Sequence, residues 1–261
     1  MIQLSCLRHV KRTSEERPPV PPYAHLVSIN VDKSGSMASF CGAQVSQIYE
    51  MILVLKAAAL EGNVETLLSI WTFDGTSHNP IETLDLRSAA IPSLGDLRRY
   101  FKPGGMTALY RSSKACVEQL VKMRQSYIVS LSTAVKRLSP DIKATYYLMT
   151  DGEDTASSAG SRMRCIDAMR HARNVHGVKD IFLGANIDAK TTATSMGFRG
   201  PAIQMAPTPE GCNEMMKTVT SLLRATSQGS AEYYNPVPTM PPPPSLPDTT
   251  DVNIRPLLRR Y

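Results

Sequence analysis

An apolar run that ends in a cluster of short polar residues decides the fold: His25-Leu26-Val27-Ser28-Ile29-Asn30-Val31, followed by Asp32-Lys33-Ser34-Gly35-Ser36. A short apolar run bounded by a turn signal is typical of a buried strand. The spacing Asp-x-Ser-x-Ser places three oxygen-bearing side chains on one tight turn, and Gly35 gives that turn a backbone freedom that other residues lack. The stretch therefore predicts a strand that delivers Asp32, Ser34 and Ser36 to a common site.

Apolar runs and helical periodicity alternate along residues 23–228. The apolar runs predict strands at 25–31, 64–73, 143–149, 178–183 and 202–205, with a short edge strand at 80–86. The periodic segments predict helices at 43–61, 93–102, 108–138, 161–176, 188–196 and 208–226, the third of them in one or two pieces. Strands that alternate with helices indicate an α/β fold with a mainly parallel central sheet and helices on both faces.

Two further polar loops adjoin these predicted elements. Gly104-Gly105-Met106-Thr107 leads into a helix, and Thr150-Asp151-Gly152-Glu153-Asp154 follows the strand at 143–149. In parallel sheets, ligand sites lie beyond the carboxyl ends of the strands. The sequence therefore predicts that five oxygen-bearing side chains meet at one edge of the sheet: Asp32, Ser34, Ser36, Thr107 and Asp151.

The chemistry of this set favours a hard cation. It contains three hydroxyls and two carboxylates, with no imidazole and no thiolate. All-oxygen coordination suits Mg²⁺ first, and Mn²⁺ or Ca²⁺ next. If the hydroxyls contact the ion directly while the carboxylates act partly through water, the ion stays electrophilic. It would then attract an acidic group from outside.

The three loops resemble the metal-ion-dependent adhesion site of von Willebrand factor A domains. The resemblance covers residues 23–228 and includes all five motif positions. It implies a Rossmann-like fold in which the hydroxyls of Ser34, Ser36 and Thr107 touch the metal, and Asp32 and Asp151 act directly or through water. It also implies that an acidic residue of a partner protein completes the octahedron.

Two downstream segments are similar to a stand-alone intracellular subgroup of that family: Ile181-Phe182-Leu183-Gly184-Ala185-Asn186-Ile187-Asp188-Ala189 and Thr208-Pro209-Glu210-Gly211. The chain departs from the family pattern in one place. The 36 residues from Thr107 to Lys143 exceed the usual helix and loop. We therefore expect an extension around residues 122–134.

Composition excludes several other classes of protein. The five cysteines are odd in number and far apart, without a CxxC or Cys/His pair, which argues against a disulfide framework and against zinc. The first residues lack the apolar core of a signal peptide, and no stretch reaches the roughly 18 apolar residues of a membrane span. We therefore expect a soluble, cytoplasmic protein in a reducing compartment, with no membrane span.

The net charge of +6 is mostly dispersed. Only Arg98-Arg99-Tyr100-Phe101-Lys102 has the mixture of basic and aromatic residues that nucleic-acid binders cluster. A solvated helix end explains it more simply, so no specific nucleic-acid partner is expected.

Both ends differ from the middle of the chain. Residues 1–22 finish in Arg17-Pro18-Pro19-Val20-Pro21-Pro22, and residues 229–261 hold eight of the nineteen prolines. Proline fixes φ and removes a hydrogen-bond donor, so we expect an extended N-terminal arm and a proline-rich C-terminal tail around one domain at 23–228. Self-association through these arms is one expectation. An acidic group of the tail serving as the metal's external ligand is another.

Three functional hypotheses follow. The first is a protein-interaction module whose bound ion coordinates an acidic residue of a partner protein. The second is a structural subunit of a larger assembly joined by its arms, and the third is an accessory subunit of an ATPase- or chelatase-type enzyme. An enzyme in its own right is not expected, because the chain lacks a nucleophile elbow, paired histidines and the glycine-rich nucleotide motifs.

Three charged residues beside the motif have simpler expected roles. Lys33 is expected to point to solvent, although it could steer an anionic partner. Asp74-Gly75 reads as a turn. Asp154 is expected to cap the helix that follows it, although Glu153 and Asp154 could also tune the site.

Overall fold

A computed structural model describes residues 23–40, 42–206 and 208–227. The predicted arm 1–22 and tail 229–261 lie outside the described residues. The strands are β1 (Ala24–Asp32), β2 (Glu65–Phe73), β3 (Ser77–Asp85), β4 (Ile142–Thr150), β5 (Lys179–Ala185) and β6 (Ala202–Met205). The helices are α1 (Ala43–Glu61), α2 (Leu94–Tyr100), α3 (Leu109–Ser130), α4 (Thr133–Arg137), α5 (Ser161–His176), α6 (Ala189–Ser195) and α7 (Pro209–Ser227).

The strands form one sheet in the order β3-β2-β1-β4-β5-β6, and among the described strands only β3 runs antiparallel to its neighbour. The predicted α/β fold with a mainly parallel sheet is confirmed. From β1 the chain first extends the sheet on one side through β2 and then on the other through β4, so the topological switch point lies at β1 and β4. Asp32 pairs with Phe73 and Val31 with Met149, which brings the carboxyl ends of β1, β2 and β4 to one edge.

Helices cover both faces of the sheet, as predicted. β1 is buried along its whole length, and its side chains alternate between two apolar clusters. One face packs against α1 and α7 through Val27, Ile29, Val31, Ile48, Met51, Val219 and Leu223. The other packs against α3 and α5 through Ala24, Leu26, Val117, Leu120, Cys165 and Met169.

The segment predicted as one or two helices at 108–138 forms two. α3 ends at Ser130, and the Ser132 hydroxyl then caps α4 by accepting a hydrogen bond from the Val135 amide at 3.3 Å. Residues 122–134, where an extension is expected, form the last turns of α3, a short link and the start of α4. Among the described residues, no helix combines the length and the apolar character needed to cross a membrane.

A buried polar network ties α3 to the centre of the sheet. The Asn30 side-chain amide of β1 donates to the Tyr146 hydroxyl of β4 at 3.2 Å, and the Ser112 hydroxyl of α3 donates to the Asn30 carbonyl oxygen at 3.2 Å. All three side chains are fully buried. Because buried polar groups are costly unless they are paired, this network fixes the position of α3 on β1 and β4.

Candidate metal centre

Asp32 ends β1 with a side chain that is almost fully buried. One carboxylate oxygen, Oδ1, accepts a hydrogen bond from the Ser34 amide at 2.7 Å, and Oδ2 accepts one from the Thr150 hydroxyl at 2.6 Å. Burial raises the pKa of Asp32 to about 6, against the lowering effect of these hydrogen bonds. At neutral pH the carboxylate is therefore ionised where charge is disfavoured, a state that a nearby cation would stabilise.

The two serines of the first loop lie between Asp32 and Asp151. A 3-10 helix, Gly35–Phe40, begins in this loop where the sequence predicts only a turn. The Ser34 and Ser36 hydroxyl oxygens are 3.1 Å apart, and the Ser36 hydroxyl donates to Asp151 Oδ1 at 2.8 Å. The first and third predicted loops are therefore in direct contact.

Asp151 carries the feature that points most directly to a ligand. Its Oδ2 oxygen is buried and has no hydrogen-bond partner among the described residues, whereas its Oδ1 is paired with Ser36. Burial raises the pKa of this carboxyl as well, although the Ser36 hydrogen bond lowers it. A buried carboxylate oxygen without a partner is costly, so a positive charge at this position fits the site.

Thr107 is buried and lies beside the other two loops. A Cβ placed on Gly152 would lie 3.8 Å from the Ser36 hydroxyl oxygen and 3.9 Å from the Thr107 hydroxyl oxygen. Backbone bonds join the first two loops, since the Gly35 amide donates to the Gly105 carbonyl at 3.2 Å. The structure thus brings all five predicted residues to one edge of the sheet.

The loop that follows β4 also clamps the start of α3. The Thr107 amide donates to the Thr155 hydroxyl at 2.9 Å, and the Thr107 carbonyl accepts from the Thr155 amide at 2.8 Å. Asp154 accepts from the Tyr110 amide at 2.7 Å, and the Ser157 hydroxyl accepts from the Arg111 amide at 3.2 Å. Thr107 is thereby held by the same loop that carries Asp151.

The expectation that Asp154 caps the following helix is wrong. α5 is preceded by Gly160 at its N-cap, whereas the Asp154 carboxylate serves the first turn of α3. The residue before α3 is Ala108, whose side chain cannot accept a hydrogen bond. The amides in the first turn of α3 therefore donate to acceptors in another loop.

We expect Asp154→Ala to lower the free energy of unfolding by about 1 to 2 kcal/mol, the range for loss of a helix N-terminal acceptor. Glu153→Ala is the matched control, because Glu153 is exposed. Its effect should stay within about 0.5 kcal/mol. Urea denaturation of both variants measures the difference, and equal effects would show that Asp154 does not hold α3.

Lys33 does not point to solvent as expected. Its ammonium lies 3.0 Å from Asp74 Oδ2, and only 18% and 23% of the two side chains are exposed. The Asp74-Gly75 turn is present, since Asp74 Oδ1 accepts a hydrogen bond from the Thr76 amide at 2.8 Å. Asp74 therefore has a second role, as the partner of the lysine inside the motif.

The donor set fits a hard cation better than a transition metal. In the described part of the chain, no group of three or more His, Cys, Asp or Glu side chains could hold a metal. Here the carboxylates are two and the other donors are hydroxyls, which is the preference of Mg²⁺ or Ca²⁺. The contacts of Thr150 with Asp32, of Asp74 with Lys33 and of Asp154 with α3 are absent from the sequence prediction. They depend on strand pairing that joins residues as far apart as Asp32 and Thr150, 118 positions along the chain.

Comparison with protein-family models finds no match, and comparison with curated protein sequences finds none either. Solved structures do match. One is a von Willebrand factor type A protein from Catenulispora acidiphila, with TM-score 0.50 and 14% identity over 77% of this chain and 43% of that chain. Another is the PilB minor pilin from Streptococcus sanguinis, with TM-score 0.55 and 11% identity over 81% of this chain and 64% of that one.

A third match is the pilus adhesin SpaC from Lactobacillus rhamnosus GG in an open conformation, with TM-score 0.52 and 11% identity over 78% of this chain and 30% of that one. The chain spans less than two thirds of the length of each of these proteins. The likeness is one of fold. The chain therefore has an α/β, Rossmann-like fold similar to that of von Willebrand factor type A domains.

Proposed function

We propose that residues 23–228 form a metal-dependent protein-binding module. In this proposal a divalent cation, preferably Mg²⁺, binds the chain and coordinates an acidic side chain of a partner protein. The cation is held by Asp32, Ser34, Ser36, Thr107 and Asp151. The observation that carries the proposal is the buried Asp151 Oδ2, which lacks a hydrogen-bond partner within residues 23–40, 42–206 and 208–227 and lies near a second buried carboxylate, that of Asp32. Burial disfavours the ionised forms of both carboxylates, and a cation nearby would favour them.

The composition of the donor set supports an acidic partner. Mg²⁺ prefers six oxygen ligands in an octahedron. If all five predicted residues contacted the ion, one position would remain for an outside group. Three of the five are neutral hydroxyls, so the two carboxylates only balance the charge of the ion and leave it attractive to a further carboxylate.

The structural neighbours are consistent with an adhesive role. SpaC is a pilus adhesin and PilB is a minor pilin. We extend to this chain only the general idea of a role in binding another protein. The described chain starts at Tyr23, whose amide bonds to the Asp141 carbonyl at 2.8 Å beside the amino ends of β1 and β4. The candidate metal centre, at the carboxyl ends of β1 and β4, thus lies at the edge of the sheet opposite Tyr23.

We propose binding and not catalysis at this site. The hydroxyls of Ser34 and Ser36 are hydrogen-bonded to one another and Ser36 to Asp151, and neither is bonded to an imidazole in the described part of the chain. A serine nucleophile needs a base of that kind.

An intracellular, reducing location also remains part of the proposal, and it is consistent with the buried free thiols of Cys116 and Cys165.

Affinity capture with this chain as bait tests the proposal. We expect a partner protein to bind in the presence of Mg²⁺, to be released by EDTA, and to return when Mg²⁺ is added back. Asp151→Ala should reduce the capture at least tenfold, because it removes one of the two carboxylates that hold the ion. Glu153→Gln is the matched control, since it removes a neighbouring exposed charge outside the ligand set.

The outcomes separate the three hypotheses. Capture that persists in EDTA and in Asp151→Ala would contradict the module. Capture lost only when residues 1–22 or 229–261 are deleted would favour a structural subunit joined by its arms. Turnover of an ester, phosphate or nucleotide that is abolished by Asp32→Ala would favour a catalytic role.

A further inference from the structure

The turn between β2 and β3, residues 74–76, contacts the candidate metal centre without belonging to the ligand motif. We call it the Asp74 turn. The Lys33 amide donates to the Phe73 carbonyl at the end of β2 at 2.8 Å. The Ala108 amide, directly after Thr107, donates to the Asp74 carbonyl at 2.7 Å. The end of β2 and the Asp74 turn therefore support the first and the second loop of the centre, respectively.

Side chains make the same connections. A Cβ placed on Gly105 would lie 3.3 Å from the Asp74 Cβ, which shows how closely the second loop passes the turn. The Arg111 guanidinium of α3 donates to the Gly75 carbonyl. The Thr76 amide and hydroxyl donate to Asp74 Oδ1 at 2.8 and 3.0 Å, so the carboxylate is held in place from its own turn.

The other oxygen of this carboxylate, Asp74 Oδ2, is 3.0 Å from the Lys33 ammonium. The exposed fractions of the two side chains, 18% and 23%, are lower than those of helix-surface pairs such as Lys114 and Glu118, at 35% and 46%. Charges interact more strongly where water is partly excluded. Hydrogen bonds from Thr76 and the Lys33 charge lower the pKa of Asp74 in spite of its partial burial.

Lys33 lies in the sequence between two predicted ligands, Asp32 and Ser34. An unpaired ammonium there would repel a divalent cation and compete for the same carboxylates. We propose that Asp74 is a positioning and charge-balancing residue of the metal centre, which holds the Lys33 ammonium so that the two ligand carboxylates remain available to the cation. This inference rests on the proposed function, because it presupposes a cation in the centre.

The proposal predicts that substitutions of Asp74 and of Lys33 change the Mn²⁺ affinity in opposite directions. Asp74→Asn keeps an oxygen for the Thr76 amide but leaves the Lys33 charge unbalanced, and it should weaken Mn²⁺ binding roughly tenfold. Lys33→Gln should strengthen Mn²⁺ binding, because it leaves an extra negative charge nearby. The double variant should return to within about threefold of the unmodified protein. A merely structural role would weaken binding in all three variants.

Mn²⁺ titration of the full chain, followed by electron paramagnetic resonance of the free ion, provides the measurement. Asp85→Asn is the matched control. Asp85 also accepts hydrogen bonds within its own turn, from the Arg87 amide and the Ser88 hydroxyl, but it lies at the other end of β3. It should therefore change Mn²⁺ affinity by less than about twofold. Thermal unfolding of every variant in EDTA checks that the fold is retained.

The proposal about Asp74 is overturned if Asp74→Asn binds Mn²⁺ as tightly as Asp85→Asn does, or if the double variant is no tighter than Asp74→Asn. In either case, unmodified protein that still binds Mn²⁺ and loses it in Asp151→Asn would leave the proposed function intact. If the unmodified protein binds no Mn²⁺ at all, both proposals are overturned together.

Discussion

In metal-free protein at pH 7, Asp32→Asn is expected to raise the free energy of unfolding by roughly 2 to 3 kcal/mol. Burial raises the pKa of Asp32 from 3.8 to about 6, so the folded state carries a penalty when the carboxylate is ionised. Each pKa unit corresponds to about 1.4 kcal/mol, which gives a penalty of roughly 3 kcal/mol. Asparagine has nearly the same shape and keeps the oxygen that accepts the Ser34 amide.

The pH dependence of this gain has a definite sign. Between pH 3.8 and about 6 the folded state binds the Asp32 proton more tightly than the unfolded state does. The contribution of Asp32 to stability therefore falls as pH rises through this window, and the penalty is complete above it. The advantage of Asp32→Asn should shrink to below about 1 kcal/mol at pH 4.

The contribution of His25 to stability has the opposite pH dependence. It cancels when the unmodified protein is compared with Asp32→Asn. Burial, together with the charges of Lys179 and Lys143, lowers the pKa of His25 to about 4. The unfolded state therefore binds this proton more readily, and stability falls as pH drops from 6.5 towards 4. Because His25 is present in both proteins, the difference between them isolates Asp32.

Urea denaturation in EDTA at pH 7 and pH 4 measures the effect. Asp85→Asn is the control: its carboxyl has a lowered pKa, because the Ser88 hydroxyl and the Arg87 amide donate to it, so loss of its charge should not stabilise the protein. A decrease in stability on Asp32→Asn at pH 7 would mean that the buried charge is not a cost to the metal-free fold. An increase would show that the metal-free fold gives up stability to keep an ionised carboxylate buried at this position.

The order of elements follows closely from the sequence, and physical reasons explain why. β1 is a short apolar run bounded by a polar turn. α1 has an apolar stripe from Val45 to Leu55, and Gly62 caps the end of the helix. Both patterns are local, so they can be read without knowing which strands pair. The same holds for the loops that carry Thr107 and Asp151, because each adjoins a helix or strand with a clear pattern.

The supporting contacts of the centre could not be predicted in the same way. Lys33 and Asp74 are 41 residues apart, and they meet because β1 and β2 are parallel neighbours that end together. Asp154 reaches α3 and not α5, because the residue before α3 lacks a side-chain acceptor. Such contacts depend on strand order and on how loops pack above the sheet, which periodicity does not record.

Replacing Asp151 by asparagine is expected to have the largest effect on the metal. The change keeps an oxygen for the Ser36 hydroxyl but removes one of two charges from the site. It also neutralises the buried group whose Oδ2 lacks a partner in the part of the chain that the structure describes. Loss of groups that only support a ligand typically weakens metal binding 10- to 100-fold. Loss of a ligand's charge should therefore weaken Mg²⁺ and Mn²⁺ binding by roughly a hundredfold or more.

A direct Mn²⁺ titration of the unmodified protein, beside Asp151→Asn and Glu153→Gln, is the most direct test of the metal centre. The expected result is one Mn²⁺ bound per chain, displaced by Mg²⁺, unchanged in Glu153→Gln and lost in Asp151→Asn. Absence of Mn²⁺ binding to the unmodified protein, or equal binding to all three proteins, would contradict a cation held by the loops of Asp32, Thr107 and Asp151.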